Sequence, residues 1–333
     1  NRVITAQGLK VLSQRINPGV AALCDVAELS LDGGFTPYHA GFVVGPRINA
    51  GGRIGQADMG AKLLSTDDPV EAADLAAKLD AVNRERRKLQ DMMQVEALEL
   101  AEKLPKDAPM IIVAREGWHP GLIGIIAGRL KDRFNRPALV IGIDNDGMGK
   151  GSGRSMSGVD LGGAISAAKA AGLLTSGGGH AMAGGLSVEA GKIDALIEFL
   201  NSSLEADIAA ARAKSGRDID ALITPGAAGP QLMDEISAVG PFGMGNPQPL
   251  FAFENVRPVY AKRLNGGHVR VTFEDAAGGR ISGICFRAED QGFDSLLLAP
   301  ETKLLHVAGR LKRDSWKGRE RIDLQVVDLA LAN

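Results

Sequence analysis

The sequence predicts an α/β protein that gives way to an all-β module, and three observations carry that reading. A stretch from Asp67 to Leu104, dense in Ala, Leu, Glu, Lys and Met, has helical periodicity. Short apolar runs then alternate with helical segments between Met110 and Ala213. Five β-patterned runs follow from Pro249 to Leu329, within about 80 residues, as in a small barrel or sandwich. At 333 residues the chain is long enough for two or more cores.

Taken in order, the opening segment reads as short helices and turns up to Pro46. Gly45-Pro46-Arg47-Ile48-Asn49-Ala50-Gly51-Gly52-Arg53 then interrupts all periodicity and reads as a Gly/Pro-rich loop. The chain begins at Asn1 without an initiator methionine, and the expectation is a piece cut from something longer. In the next stretch Leu75, Leu79, Val82, Leu89, Met92, Met93 and Val95 recur at mostly three- and four-residue steps. Thr66-Asp67-Asp68 supplies capping residues and Pro69 suits the first turn. This predicts one long helix, or two broken near Asn83, ending at Pro105.

The α/β alternation places strands at Met110 to Ala114 and Ala138 to Ile143, with helices at Gly121 to Phe134 and Asp160 to Leu173. A second pair follows at Gly185 to Val188 and Lys192 to Ala213, completing a domain of about 100 residues. Beyond Ser215-Gly216 and the turn-rich Pro225 to Pro230, strands are expected at Pro249 to Val256, His268 to Glu274, Arg280 to Arg287, Lys303 to Lys312 and Glu320 to Leu329. No internal repeat or low-complexity tract interrupts the order.

Composition narrows the function class. Hydrophobic residues make up 45% and charged residues 23%, with a formal net charge of -2. That balance excludes a protein that coats nucleic acid by bulk charge and leaves phosphate binding to local basic patches. Cys24 and Cys285 are far apart and outside any CxxC or Cys/His cluster, which argues against a disulfide framework or zinc site and for a reducing cytoplasm. No apolar run approaches the roughly 18 residues a membrane span needs, and no signal peptide heads the chain, so no membrane partner is expected.

Five segments carry candidate binding chemistry. Gly147 to Ser155 packs four glycines with Lys150, Ser152, Arg154 and Ser155 directly after a strand. Glycines let backbone amides approach an anion, and the Arg154 fork suits phosphate; it is neither a Walker loop nor GxGxxG, and a flexible turn remains the alternative. Gly177, Gly178 and Gly179 strip side chains from around His180, as a ligand pressing on backbone requires, although a lone histidine is more often structural. His119 precedes the helix at Gly121, whose free amides form a ready anion site, and equally suits capping. Arg47, Asn49 and Arg53 suit a phosphate or sugar, but taken alone they read as surface charge. Arg310, Lys312, Arg313, Lys317, Arg319 and Arg321 form a basic hairpin with Trp316 near its tip, the combination used for single-strand binding; a solvated hairpin is the other reading.

No converging cluster of Asp, Glu or His for a two-metal site is visible, and the five histidines are scattered. Asp144-Asn145-Asp146 reads as a turn, and no GxSxG elbow occurs.

The Gly45 to Arg53 segment, Trp118-His119-Pro120-Gly121-Leu122-Ile123-Gly124-Ile125, Lys150 to Ser155, Gly178-Gly179-His180-Ala181 and Pro241-Phe242-Gly243-Met244-Gly245-Asn246-Pro247-Gln248-Pro249 follow one another as in the RecJ exonucleases, which nearly the whole chain resembles. The glycine motifs are shared across the DHH phosphoesterase superfamily; the Pro-Phe-Gly-x-Gly-Asn-Pro entry to the β module is similar to RecJ in particular. The resemblance implies the end of a DHH nuclease domain (1–60), a long connecting helix (61–105), a DHH-associated α/β domain with a mixed sheet (106–215), and a linker with a C-terminal OB-like β barrel (216–333). The OB assignment comes from the resemblance, since strand count alone allows other barrels.

Members of that family degrade single-stranded DNA from the 5′ end in repair and recombination, with Mn or Mg activating water. The metal ligands are expected before Asn1, so the resemblance implies a chain that binds single-stranded DNA, holds no metal itself and does not cut alone. A helicase and a single-strand-binding protein are the further partners implied. By the same resemblance Ser152 and Arg154 hold the 5′ phosphate, with Arg53 across the cleft, while His180 and its glycines face the metal site and contact the scissile phosphate. Another DHH phosphoesterase, acting on short oligoribonucleotides or cyclic dinucleotides, and a non-enzymatic single-strand-binding protein are the rival readings.

Overall fold

The computed structural model describes every residue except 32, 215, 244, 290, 300–302, 317–318 and 333, and of residues 315, 316, 319 and 320 the backbone alone. The chain divides into two units, Lys10–Ser215 and Gly216–Asn333 together with Asn1–Leu9.

After α1 (Arg2–Ser13) come α2 (Pro18–Val26), a π-helical turn (His39–Val44), α3 (Gly45–Ile54) and α4 (Met59–Ser65). The segment expected to be a loop at Gly45 to Arg53 is therefore a helix. Pro46 sits in its first turn, where the missing N–H costs nothing. Close contact explains Gly51, where a Cβ would lie 2.5 Å from the Gln56 carbonyl oxygen, and Gly60 of α4, where one would lie 2.9 Å from Ile48 of α3. Composition pointed to a loop because tight packing and flexibility both call for glycine.

Helix α5 (Pro69–Glu102) is one unbroken helix, capped by the Asp68 side chain, which accepts from the Val70 amide at 2.8 Å. Its buried stripe runs through Ala72, Ala76, Leu79, Asn83, Arg86, Gln90, Met93, Ala97 and Ala101. Met92 and Val95, expected on that stripe, are exposed. The small residues let α2, α3 and α6 approach, and the middle of the stripe is polar. Asn83 sits in that middle, and Arg86 Nε donates to its Oδ1 at 3.2 Å, so no break occurs there.

Strands β1 (Ile111–Glu116), β2 (Ala138–Ile143), β3 (Met148–Arg154), β4 (Ser176–His180) and β5 (Ala183–Glu189) form a mixed sheet in the order β1-β2-β3-β5-β4, with helix α6 (Pro120–Phe134) after β1, α7 (Leu161–Ala170) after β3 and α8 (Ile193–Ala213) after β5. Only the β1–β2 pair in this sheet is parallel. Val113, Ala138 and Val140 face α6 and α5, burying Leu122, Ile126, Met93 and Ala97. Leu139, Ile141, Leu186 and Val188 face the opposite layer, with Leu161 and Ile165 of α7 and Leu196 and Leu200 of α8.

Two glycine segments are strands over most of their length: Gly147 to Ser155, for which a flexible turn was the alternative, and Ser176 to Ala181, to which the sequence pattern assigned no element. On β3 the odd positions face the leucine layer: a Cβ on Gly151 would fall 2.6 Å from Leu186 Cδ1, and one on Gly153 2.6 Å from Leu161 Cδ2. Burial of large neighbours offsets the entropic cost of glycine in a strand.

The second unit adds β6 (Ala221–Leu222), α9 (Pro230–Ala238), β7 (Phe251–Leu264), β8 (His268–Glu274), β9 (Arg280–Cys285), α10 (Asp294–Leu297), β10 (Leu305–Trp316) and β11 (Arg319–Leu331). Strand β10 pairs with both β11 and β7, closing a five-stranded OB-like barrel. A β-bulge at Pro258/Tyr260 breaks the register of the long β7, which pairs with β10 through its first half and β8 through its second. Phe253, Phe273, Val256, Val271, Leu305 and Leu324 fill the interior. Among the described residues, no helix is long and apolar enough to cross a membrane.

Two outcomes follow for the barrel. Phe273 is fully buried, and Phe273→Ala is expected to cost about 3–5 kcal/mol in denaturant unfolding. The carboxylate of Glu274 accepts from Arg257 and Arg280, and these bonds hold its carboxyl below the usual range. Its stabilising contribution is therefore fully present above the unfolded value of about 4.3 and is lost as pH falls through the lowered folded value. Glu274→Gln is expected to flatten the acid side of a melting-temperature–pH profile; an unchanged acid limb would show that the two arginines leave this carboxyl unperturbed.

Candidate nucleic-acid interface

The even-numbered residues of β3 project to the sheet face that α6 partly covers. Ser152 and Arg154 lie beneath that helix, where a Cβ on Gly124 would sit 2.9 Å from Ser152 Oγ and 3.0 Å from Arg154 Nη2. Arg154 Nη1 donates to Ser152 Oγ at 3.2 Å and to the Gly153 carbonyl at 2.8 Å. Among the described residues no carboxylate lies within 4.0 Å of its guanidinium. The remaining N–H groups of the fork are thus available to an anion. Lys150, two residues back on the same face, is exposed.

Register across the antiparallel strands fixes what lies beside them. Ser152 is level with Gly185 and Gly185 with Gly178; Arg154 is level with Ala183 and Ala183 with His180. The row beside Ser152 consequently has no side chain for two strands. A Cβ on Gly178 would have nothing within 4 Å. His180 is exposed at the far end of the Arg154 row, two strand spacings or about 10 Å away. Gly177 and Gly179 differ from Gly178: the first makes room for Ile165 and Leu174 in the core, and the second lies against the backbone of Ala183 and Gly184. Gly185 had no place among the sequence candidates, although the Gly184-Gly185 pair shortly after His180 was its signal.

The third wall is helical. His119 caps α6, its Nδ1 accepting from the Gly121 amide at 3.1 Å, which is the capping alternative of the sequence reading. A Cβ on Gly121 would fall 2.2 Å from the Arg53 carbonyl oxygen, and Arg53 Nη1 donates to the Gly121 carbonyl at 3.1 Å. Arg53 and Asn49, one turn apart on α3, are both exposed. Arg47 turns the other way: its Nε pairs with Asp80 at 2.9 Å and its Nη1 donates to the Val43 carbonyl, anchoring α3 to α5.

On the barrel unit, Arg310 Nε donates to the Gln248 carbonyl at 3.3 Å and Arg313 pairs with Asp234. The backbone of Trp316 pairs with Arg319 near the end of the β10–β11 hairpin, while its side chain lies outside the described residues. Among the described residues no group of three or more His, Cys, Asp or Glu is placed to hold a metal ion, so the residues present do not fit one.

Comparison with known proteins follows the same division. A family model described as the DHHA1 domain matches residues 107–206, and one described as the RecJ OB domain matches residues 219–328. The single-stranded-DNA-specific exonuclease RecJ of Bacillus subtilis is 32% identical over 100% of this chain and 42% of its own length. That of Escherichia coli is 31% identical over 98% of this chain and 57% of its own. The crystal structure of RecJ in complex with Mn2+ from Thermus thermophilus superposes with a TM-score of 0.79 at 26% identity, covering 98% of this chain and 46% of that one. The chain spans about half the length of the curated relatives it matches. With both domains in order and the similarity extending over its whole length, the chain belongs to the RecJ family and corresponds to the C-terminal part of its members.

Proposed function

We propose that this chain supplies the end-recognition and strand-holding parts of a single-stranded-DNA-specific 5′-to-3′ exonuclease of DNA repair and recombination, binding DNA without cutting it alone. The observation that carries the reading is the Arg154 fork, held by Ser152 and Gly153, without a carboxylate neighbour among the described residues, at the edge of a glycine ledge. A terminal phosphate accepts two or more charge-assisted bonds there from Arg154 and a hydroxyl proton from Ser152. Arg53 and the amide end of α6 add positive potential from the helical side.

With the terminal phosphate at Arg154, the bare row of Gly185 and Gly178 takes the first sugar and base against backbone, and His180 meets the following phosphodiester as its hydrogen-bond donor. The RecJ structures from Thermus thermophilus are complexes with Mn2+ and Mg2+. In the whole enzyme such an ion would supply the activated water, and the residues of this chain bind and orient the strand. The barrel, with Arg310, Arg313 and Trp316, is the second single-strand-binding element of this reading. A helicase and a single-strand-binding protein are the partners proposed for the whole enzyme in the cytoplasm.

Binding of this chain to 5′-phosphorylated and 5′-hydroxyl single-stranded DNA, compared with Arg154→Ala over a salt series, tests the reading. A preference of about tenfold for the phosphorylated end, the size of one charged hydrogen bond, is expected and disappears in the variant. Equal binding of both ends, indifferent to Arg154, sinks the assignment. Gly124→Ala separates placement from stability: alanine favours the helix by up to about 1 kcal/mol over glycine, yet its methyl crowds Ser152 and Arg154. The melting temperature should not fall while the end preference shrinks; a variant that keeps the full preference would show that the pair need not be held as observed.

A further inference from the structure

The polar middle of the α5 stripe holds a charge with no opposite partner. Arg86 is 9% exposed, and among the described residues no carboxylate lies within 4.0 Å of it. Its Nε donates to Asn83 Oδ1 at 3.2 Å and its Nη1 to Gln90 Oε1 at 2.7 Å, both neutral acceptors on its own helix. Asn83, 1% exposed, has an Nδ2 that meets no acceptor among the described residues.

The surroundings add to the cost. Burial lowers the pKa of Arg86 first, and Arg87, Arg53 and Arg129 lower it further, with Asp91 acting in the opposite direction. Arg53, Arg87 and Arg129 are exposed and come from α3, α5 and α6. Among the described residues none of the three has a carboxylate within 4.0 Å. Buried charges are normally paired, since an unpaired one forfeits hydration without compensation. Four guanidiniums, one of them buried, with an orphaned amide donor beside it, have the chemistry to receive an anion.

We propose that Arg86, with Arg53, Arg87 and Arg129 around it, forms a second anion position that takes an internal phosphodiester of the bound single strand. Arg53 ties this position to the first through two glycines one turn apart on α6: Gly121 lies against the Arg53 backbone, and Gly124 lies against Ser152 and Arg154. The inference rests on the single-strand reading above and extends it from the end of the strand to its backbone.

The test uses a 5′-hydroxyl oligothymidylate, which offers internal phosphates and no terminal one, and the full chain carrying Arg87→Gln with Arg129→Gln. Affinity should fall at low salt, and the slope of log affinity against log salt should shrink by about 0.7 for each phosphate that is no longer neutralised. Arg86→Gln should weaken the same binding while melting no lower than the unaltered chain, because a buried unpaired charge is removed. Unchanged affinity and slope in the double variant would overturn the proposal, as would an Arg86→Gln chain that melts lower and binds DNA as before. The two assignments fail separately: the 5′-phosphate preference is read at Arg154, and the salt slope on 5′-hydroxyl DNA is read at Arg87 and Arg129.

Discussion

Helix α6 starts so close to its neighbour that a side chain is excluded there, and the geometry of the candidate site follows from that. A Cβ on Gly121 would meet the Arg53 carbonyl oxygen at 2.2 Å, while Gly124, one turn on, lies over the side chains of Ser152 and Arg154. The approach to the helix is equally tight, since a Cβ on Gly142 of β2 would lie 2.3 Å from the Trp118 carbonyl oxygen. Backbone contacts of this kind have little freedom to slide, because interiors pack as densely as crystals. They bring the amide end of α6, the Arg53 end of α3 and the Ser152–Arg154 pair of β3 to one place. The leucine layer formed with α7 and α8 packs against the opposite face of the sheet.

Much of the architecture was legible in the sequence because its signals are periodic. The limits of β2 and β8 coincide with the runs read for them, and the start of α5 follows from Asp68 and Pro69. Glycine defeated the same reading at α3, β3 and β4. Gly51, Gly151, Gly153 and Gly177 each make room for a specific neighbour, such as Leu186 against Gly151, whereas Gly178 leaves its face of the sheet open. A local pattern cannot distinguish a glycine that frees the chain from one that lets another element in.

The candidate site was legible as residue types and not as an arrangement. Ser152, Arg154 and His180 were named from their glycine-rich surroundings, while the level rows joining them depend on strand register. Arg47 and Arg53 looked alike on one segment, yet the helix turns Arg47 to Asp80 and leaves Arg53 exposed. Arg86 was invisible for a different reason. A charged residue in a charged helix reads as solvated, and only the fold shows it on the buried stripe.

A crystal structure of this chain with a short 5′-phosphorylated oligothymidylate tests the end-recognition site most directly. The terminal phosphate is expected within hydrogen-bond distance of Ser152 Oγ and the Arg154 guanidinium, with the first nucleotide against Gly185 and Gly178. A terminal phosphate bound elsewhere, with Arg154 still turned onto Ser152 and the Gly153 carbonyl, would contradict it.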